Sequence, residues 1–304
     1  MRLLPPALRL QHWLLAGLLA TALAAQAQTA DFQEQGNSLK YSAAPVNRLV
    51  LANVNMKVGV SLERLSLISG EGHEDKKIIS GLMAGAATLL SMKAKGGAGG
   101  IDFAEREPIE DHLKKTDAML ISQEATAIVL DKLRAAGLAV DGPDKVVAAP
   151  FYNDIKGEPE GATDTASQDG GLFKKSYYYG FYLLPVSGLK ARKPGMFEAM
   201  GNDDLYPKAR AAAGGAPGAL DLSLAFYNDK KVFGLFDMSL RIWGQVQGRS
   251  SDMPMLTQVL KNKDDFTVPS GGKDSYTYWL AFKPKFEAIA ATLAERVLKA
   301  MPAP

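Results

Sequence analysis

The chain has 304 residues, with 35 Lys and Arg against 33 Asp and Glu, and no cysteine. The missing thiols exclude disulfides, thiol catalysis, zinc–thiolate sites and a lipidated N-terminal cysteine. Near-balanced charge leaves no global field to attract nucleic acid, so no nucleic-acid partner is expected, while the length allows a large buried core.

Arg2 and Arg9, the apolar run from Trp13 to Ala25 and the small-residue site Ala25-Gln26-Ala27 read as a secretory signal peptide over residues 1–27. The run is about thirteen residues, short of the roughly 20 that span a bilayer as a helix, so export to the periplasm or beyond a Gram-negative-type envelope is expected. Removing Arg2 and Arg9 leaves 33 basic and 33 acidic residues in the mature chain. Residues 28–45 are polar with few large apolar side chains and read as a flexible leader, followed by a single α+β domain over 46–304.

From Val46 the even positions Val50, Ala52, Val54, Met56, Val58, Val60 and Leu62 alternate with odd positions such as Asn53, Asn55, Lys57 and Glu63. Period-two patterning predicts one long strand, or two joined by a bulge near Lys57-Val58-Gly59, with one wetted face that points to an antiparallel sheet. Ile78 to Met92 follows, fifteen residues without charge, bracketed by Lys76, Lys77, Lys93 and Lys95 and carrying Gly81 and Gly85 at four-residue spacing. As a helix it would extend roughly 22 Å, against a hydrocarbon layer of roughly 30 Å. It reads as a core helix, or as an association segment suited to homo-oligomer formation or peripheral membrane contact. Gly96 to Gly100 reads as a flexible joint.

Gln123 to Ala136 is predicted helical, with Ile128, Leu130 and Leu133 at helical spacing and a stop at Gly137. Residues 154–171 and 187–218 read as long loops. Between them Tyr177–Leu184 is a predicted aromatic strand, and 219–247 is a predicted hairpin. In the hairpin Leu222, Leu224, Phe236, Met238, Leu240 and Ile242 belong on the buried face and Asp237, Ser239, Arg241, Trp243 and Gln245 on the other, around a polar turn at Asn228 to Lys231. A further strand is predicted at Tyr276–Phe282, and a helix from Lys285 to Met301 after Pro284. The fold class expected is α+β, an antiparallel sheet of long amphipathic strands with helices covering one face.

Catalytic chemistry is sparse. His73, in Glu71-Gly72-His73-Glu74-Asp75, and His112 are the only mature-chain histidines, and adjacent loop residues seldom chelate one ion, so neither a metal site nor a cofactor is expected. Ser187-Gly188-Leu189-Lys190 and Ser270-Gly271-Gly272-Lys273 match the Ser-x-x-Lys spacing of penicillin-binding enzymes, but they sit beside glycine in loops and have no companion motifs. No catalytic residue is assigned.

Ligand contact rests on aromatics instead. Tyr177, Tyr178, Tyr179 and Tyr182 share one predicted strand, Tyr276, Tyr278 and Trp279 another, and Lys174, Lys175, Lys190, Arg192 and Lys193 flank the first. From these, Tyr177, Tyr179, Tyr182 and the five basic residues are the candidate ligand-binding set, suited to an anionic envelope glycan, lipid or protein partner. No residue-level motif assigns the chain to a family. The resulting expectation is an exported envelope protein acting as a non-catalytic binding or assembly factor, the alternative being a periplasmic or secreted hydrolase of an envelope or environmental polymer. Mass spectrometry of protein from the native envelope fraction should find a mature N-terminus at Gln28; a retained Met1 or Arg2 would contradict the signal-peptide reading.

Overall fold

The computed structural model describes residues 29–65, 109, 112–159, 161–168, 176–192, 204–229, 231–271 and 274–302. The expected signal peptide, His73 and its acids, the Ile78–Met92 segment with Gly81 and Gly85, Gly96–Gly100, Lys174, Lys175 and Lys193 lie outside the described residues.

Among the described residues nine strands and four helices form a mixed α+β fold. In chain order they are β1 (Phe32–Asn37), β2 (Arg48–Leu65), α1 (Lys115–Ala135), β3 (Ala139–Asp141), α2 (Asp144–Val147), β4 (Thr163–Gln168), β5 (Ser176–Leu184), α3 (Leu205–Ala212), β6 (Gly218–Asn228), β7 (Val232–Gln245), β8 (Asp252–Leu260), β9 (Thr267–Pro269) and α4 (Ser275–Ala300). The sheet order is β1-β8-β7-β6-β2-β5-β4, with β3 beside β2 and β9 beside β7.

The alternation from Val46 onward does form one strand, β2, of 18 residues. Its ladder is irregular between Leu51 and Asn53 and between Ser61 and Glu63, rather than near Lys57. Most neighbours pair antiparallel, as the wetted face predicts, but β2 runs parallel to both β6 and β3. A one-sided sheet pattern reports which face is wet, not the direction of each neighbour, so the parallel centre was invisible to it.

Between its irregularities β2 sends Val54, Met56 and Val58 to the main core, as β6 does Leu222 and Leu224 and β7 does Met238, Leu240 and Ile242. Helices α1 and α4 pack on each other and complete that core with Ile121, Val129 and Leu133 from α1 and Trp279, Phe282, Phe286, Ile289 and Leu293 from α4. Phe226 meets Trp279 and Phe286 edge-on, each at 5.3 Å between ring centroids. Gly137 ends α1 at φ 97°, a left-handed conformation that glycine adopts without steric cost.

Four expectations are corrected. The segment Tyr276–Phe282 is not a strand but the start of α4, because Asp274 caps it by accepting from the Thr277 N–H and because Trp279, Phe282 and Phe286 fall on one helical stripe. Pro284 lies inside this helix, where it removes the N–H that would bond Leu280 four residues back. Leu280 is 49% exposed, so that carbonyl lies on the wetted side of the helix. The stretch expected as a flexible leader carries β1, which pairs with β8 and buries Phe32, and Leu39 in the turn after it is buried as well. The loops expected at 154–171 and 187–218 contain β4 and α3.

The fourth concerns the hairpin. Asp229 organises its turn by accepting from the N–H groups of Lys231 and Val232, but Ala225 pairs with Asp237 while Phe226 pairs with Leu235. Phe236 is therefore the extra residue of a bulge and joins Tyr179, Phe181 and Ala225 in a second cluster instead of facing the main core. Trp243, expected on a wetted face, is buried and stacks on Tyr206 of α3 at 4.3 Å. Denaturant titration should show Leu240→Ala costing about 2–5 kcal/mol as a large-to-small core change. Ser223→Ala, on the half-buried row, should shift stability by less than about 0.5 kcal/mol; equal losses would refute the register.

Candidate binding face

Register places a continuous set of polar and aromatic side chains on the sheet side opposite Leu222, Leu224 and Leu240. Asn53 pairs with Asp221, Asp221 with Arg241 and Arg241 with Thr257, so four neighbouring strands each contribute one polar residue to a single row. The row is internally bonded: the Asn53 side-chain amide donates to Asp221 at 2.8 Å, and the Arg241 guanidinium lies 3.6 Å from the other carboxylate oxygen. One step along the strands, Asn55, Ser223 and Ser239 pair in the same way. Beyond them Lys57 reaches across to Asp164 of β4 at 2.7 Å.

The aromatic part adjoins this row. Phe181 pairs with Gly59, and its ring lies where a Gly59 side chain would stand, since a Cβ there would meet both the ring and the Gly180 carbonyl. Glycine at position 59 is thus what lets the ring lie flat on the sheet. Around it Tyr179 meets Tyr227 at 5.4 Å and Phe236 at 5.2 Å, and Phe181 meets Phe236 at 5.1 Å. Tyr179 and Phe181 are buried, whereas Tyr227 and Phe236 remain half-exposed. The Lys263 ammonium sits 4.8 Å from the Phe236 ring centre and also donates to the Phe236 carbonyl.

Electrostatics single out two groups on this face. Burial pushes the Asp237 carboxyl above its ordinary pKa, although Lys263, the Met238 N–H, Lys57 and Arg241 all pull the other way. Burial, with the charges of Asp229 and Asp264, pushes the Tyr227 hydroxyl up to about 12.

The candidates from sequence are dispersed. Tyr179 belongs to this face, while Tyr182, pairing with Val58, points into the main core. Tyr177 contributes backbone to β5, opposite Gln168 and Arg64. The Lys190 ammonium donates to the carbonyls of Tyr152, Asn153 and Ile155, and its backbone N–H donates to the Tyr152 hydroxyl, so this lysine closes the 3-10 turn Pro150–Asp154. Arg192 is buried. In the Ser-x-x-Lys matches, Ser187 holds a left-handed φ of 51°, and the Ser270 hydroxyl donates to Asn228 at 2.7 Å. His112 is half-buried just before α1.

Tyr276 and Trp279 have a different role from ligand contact. Glu124 of α1 accepts from the Tyr276 hydroxyl at 2.5 Å, the Trp279 indole at 3.0 Å and the Lys283 ammonium at 2.9 Å, joining α1 to α4. Burial works to raise the Glu124 carboxyl, but the hydrogen bonds from Tyr276, Lys283 and Trp279 outweigh it and hold its pKa below the ordinary value. The i, i+3, i+7 spacing of Tyr276, Trp279 and Lys283 was the available signal, legible only once the segment was known to be helical.

A cavity of about 230 Å³ lies elsewhere, lined by Ala43, Pro207, Arg210, Gly215, Pro217 and Gln245 among others. Arg210 there is held 3.2 Å from the buried carboxylate of Asp252. Among the described residues no three His, Asp or Glu side chains converge as a metal site, and no helix is long and apolar enough to cross a membrane. Comparison with protein-family models, curated proteins and solved structures finds no match to this chain.

Asp237 and Glu124 shift in opposite directions, so their removal should have opposite effects. An acid with a raised folded pKa destabilises the fold as pH climbs from its unfolded toward its folded value. Asp237→Asn should therefore raise stability at neutral pH, with the gain vanishing in acid. A depressed folded pKa stabilises above the unfolded value and is lost as pH falls through the folded one, so Glu124→Gln should lower stability at neutral pH and converge with the parent in acid. Parallel thermal melts from acid to neutral pH check both signs.

Proposed function

We propose that this chain is an exported bacterial envelope protein acting as a non-catalytic binding or assembly factor. In this reading α1 and α4 cover one face of the sheet, and the face carrying Asn55, Lys57, Tyr227, Phe236, Asp237 and Arg241 receives the partner. The observation that carries it is geometric: the bonded row of Asn53, Asp221 and Arg241 lies on the same sheet face as the half-exposed rings of Tyr227 and Phe236, with Asp237 next to Phe236. A half-buried carboxyl held against its own desolvation weakens the fold, and such residues cluster at functional sites. Its surroundings fit recognition: Asn53, Asp221 and Arg241 fix one another, as do Lys57 and Asp164, so polar groups are presented with their geometry already set. Half-exposed aromatic rings beside them supply apolar contact area.

The hydrolase alternative has the same residue in its favour, because a carboxyl with a raised pKa is suited to general-acid work. One experiment separates the two. The purified mature chain should be retained on a washed bacterial envelope fraction and release no soluble fragments from it. Tyr227→Ala with Arg241→Ala should abolish retention, while Lys299→Ala, on the exposed side of α4, should leave it intact. Release of fragments that stops in Asp237→Asn would establish the hydrolase; no retention, or retention indifferent to the face, would overturn the binding reading.

A further inference from the structure

We infer that the face around Tyr227, Phe236 and Asn55 takes an uncharged, hydroxyl-rich glycan. The inference rests on the reading of this face as a binding surface and adds the class of its ligand.

Charge balance is the first argument. Lys57 is set against Asp164 and Arg241 against Asp221, while Lys263 and Asp237 act on each other across the same surface. Among the described residues three cations and three carboxylates therefore share the face, and Asp229 and Asp264 add negative charge beside Tyr227. An anionic polymer needs a surplus of positive potential to overcome its own desolvation, and the described residues of this face supply none. Of the basic residues expected from sequence, Lys190 is bound to backbone carbonyls and Arg192 is buried, while Lys174, Lys175 and Lys193 lie outside the described residues.

The second argument is the pairing of surface types. Sugars present an apolar C–H face and a rim of hydroxyls that both donate and accept. The half-exposed rings of Tyr227 and Phe236, held edge to face at 79° and backed by buried Tyr179 and Phe181, suit the first. The Asn55 amide, the Ser223 hydroxyl, the Asp237 carboxyl and the Arg241 guanidinium, all half-exposed, suit the second because together they offer both donors and acceptors. A protein partner would favour a wider apolar centre with charge excluded from it, whereas here ion pairs run through the middle of the surface.

Affinity electrophoresis tests the assignment. The mature chain is run through native gels containing dextran, galactomannan or hydroxyethyl cellulose, and through gels containing alginate, polygalacturonate or dextran sulfate. Retardation by at least one neutral polymer and by none of the anionic ones is expected. Phe236→Ala should weaken the retarding interaction about tenfold, the loss of one good contact. Since that variant removes packing, Asn55→Asp serves as the second: it keeps volume, replaces an amide donor with charge, and should weaken binding similarly with an unchanged thermal melt. Retardation only by anionic polymers, or by none of the six, overturns the inference. If retention on envelope material still depends on Tyr227 and Arg241 in that case, the binding reading stands and the ligand is of another class; if that retention is absent as well, both fail.

Discussion

Strand β2 is the constraint on which the rest depends. It pairs along most of its length with β6 on one side and β5 on the other, so the side-chain alternation of one 18-residue segment fixes the register of three strands at once. A slip of one residue on β2 would carry Val54, Met56 and Val58 onto the polar face and Asn53, Asn55 and Lys57 into the core. The hydrophobic term makes that exchange very costly, since each large apolar side chain contributes roughly 1.5–3 kcal/mol by its burial. Gly59 adds a local condition, because only a residue without a Cβ allows Phe181 to lie against the strand.

The two sides of this sheet solve different physical problems. Toward Leu222, Leu224 and Leu240 the requirement is close packing, met by interlocking aromatic rings from β6, β7 and α4 and by the Glu124 junction that ties α1 to α4. On the opposite side charged and amide groups stand close together, and Asn53 with Asp221, Asp221 with Arg241 and Lys57 with Asp164 partner one another, since an unpartnered polar group at low exposure is unfavourable. Partly exposed ion pairs of this kind contribute little to stability compared with buried apolar side chains. They stand beside the half-exposed rings of Tyr227 and Phe236, so polar groups and apolar area share one surface.

Bulges decide which residues reach that surface. The extra residue at Phe236 turns its ring away from the main core and onto Phe181, closing an aromatic cluster that a regular hairpin would not form. The same bulge sets Asp237 next to Phe236, among the fields of Lys57, Lys263 and Arg241. An irregularity in one ladder thus couples the aromatic and ionic parts of the face.

Period-two alternation determined β2 and the β6–β7 hairpin, a run of aromatics marked β5, and helical spacing ending at Gly137 determined the body of α1, because in each of these windows one local signal dominated. The absence of cysteine and the balance of charge were equally plain in composition. Tertiary structure decided what alternation cannot encode. It made β2 and β6 parallel, drew Phe32 into an edge strand, and ran α4 through Pro284, whose lost hydrogen bond falls on the wetted side. It also took Lys190 from the candidate site to three carbonyls distant in sequence and brought Phe236 to it through a bulge. The physical reason is common to all of these: local sequence fixes which side of a segment prefers water, whereas pairing direction, bulge position and the partner of a charged group depend on free energies shared with residues far along the chain.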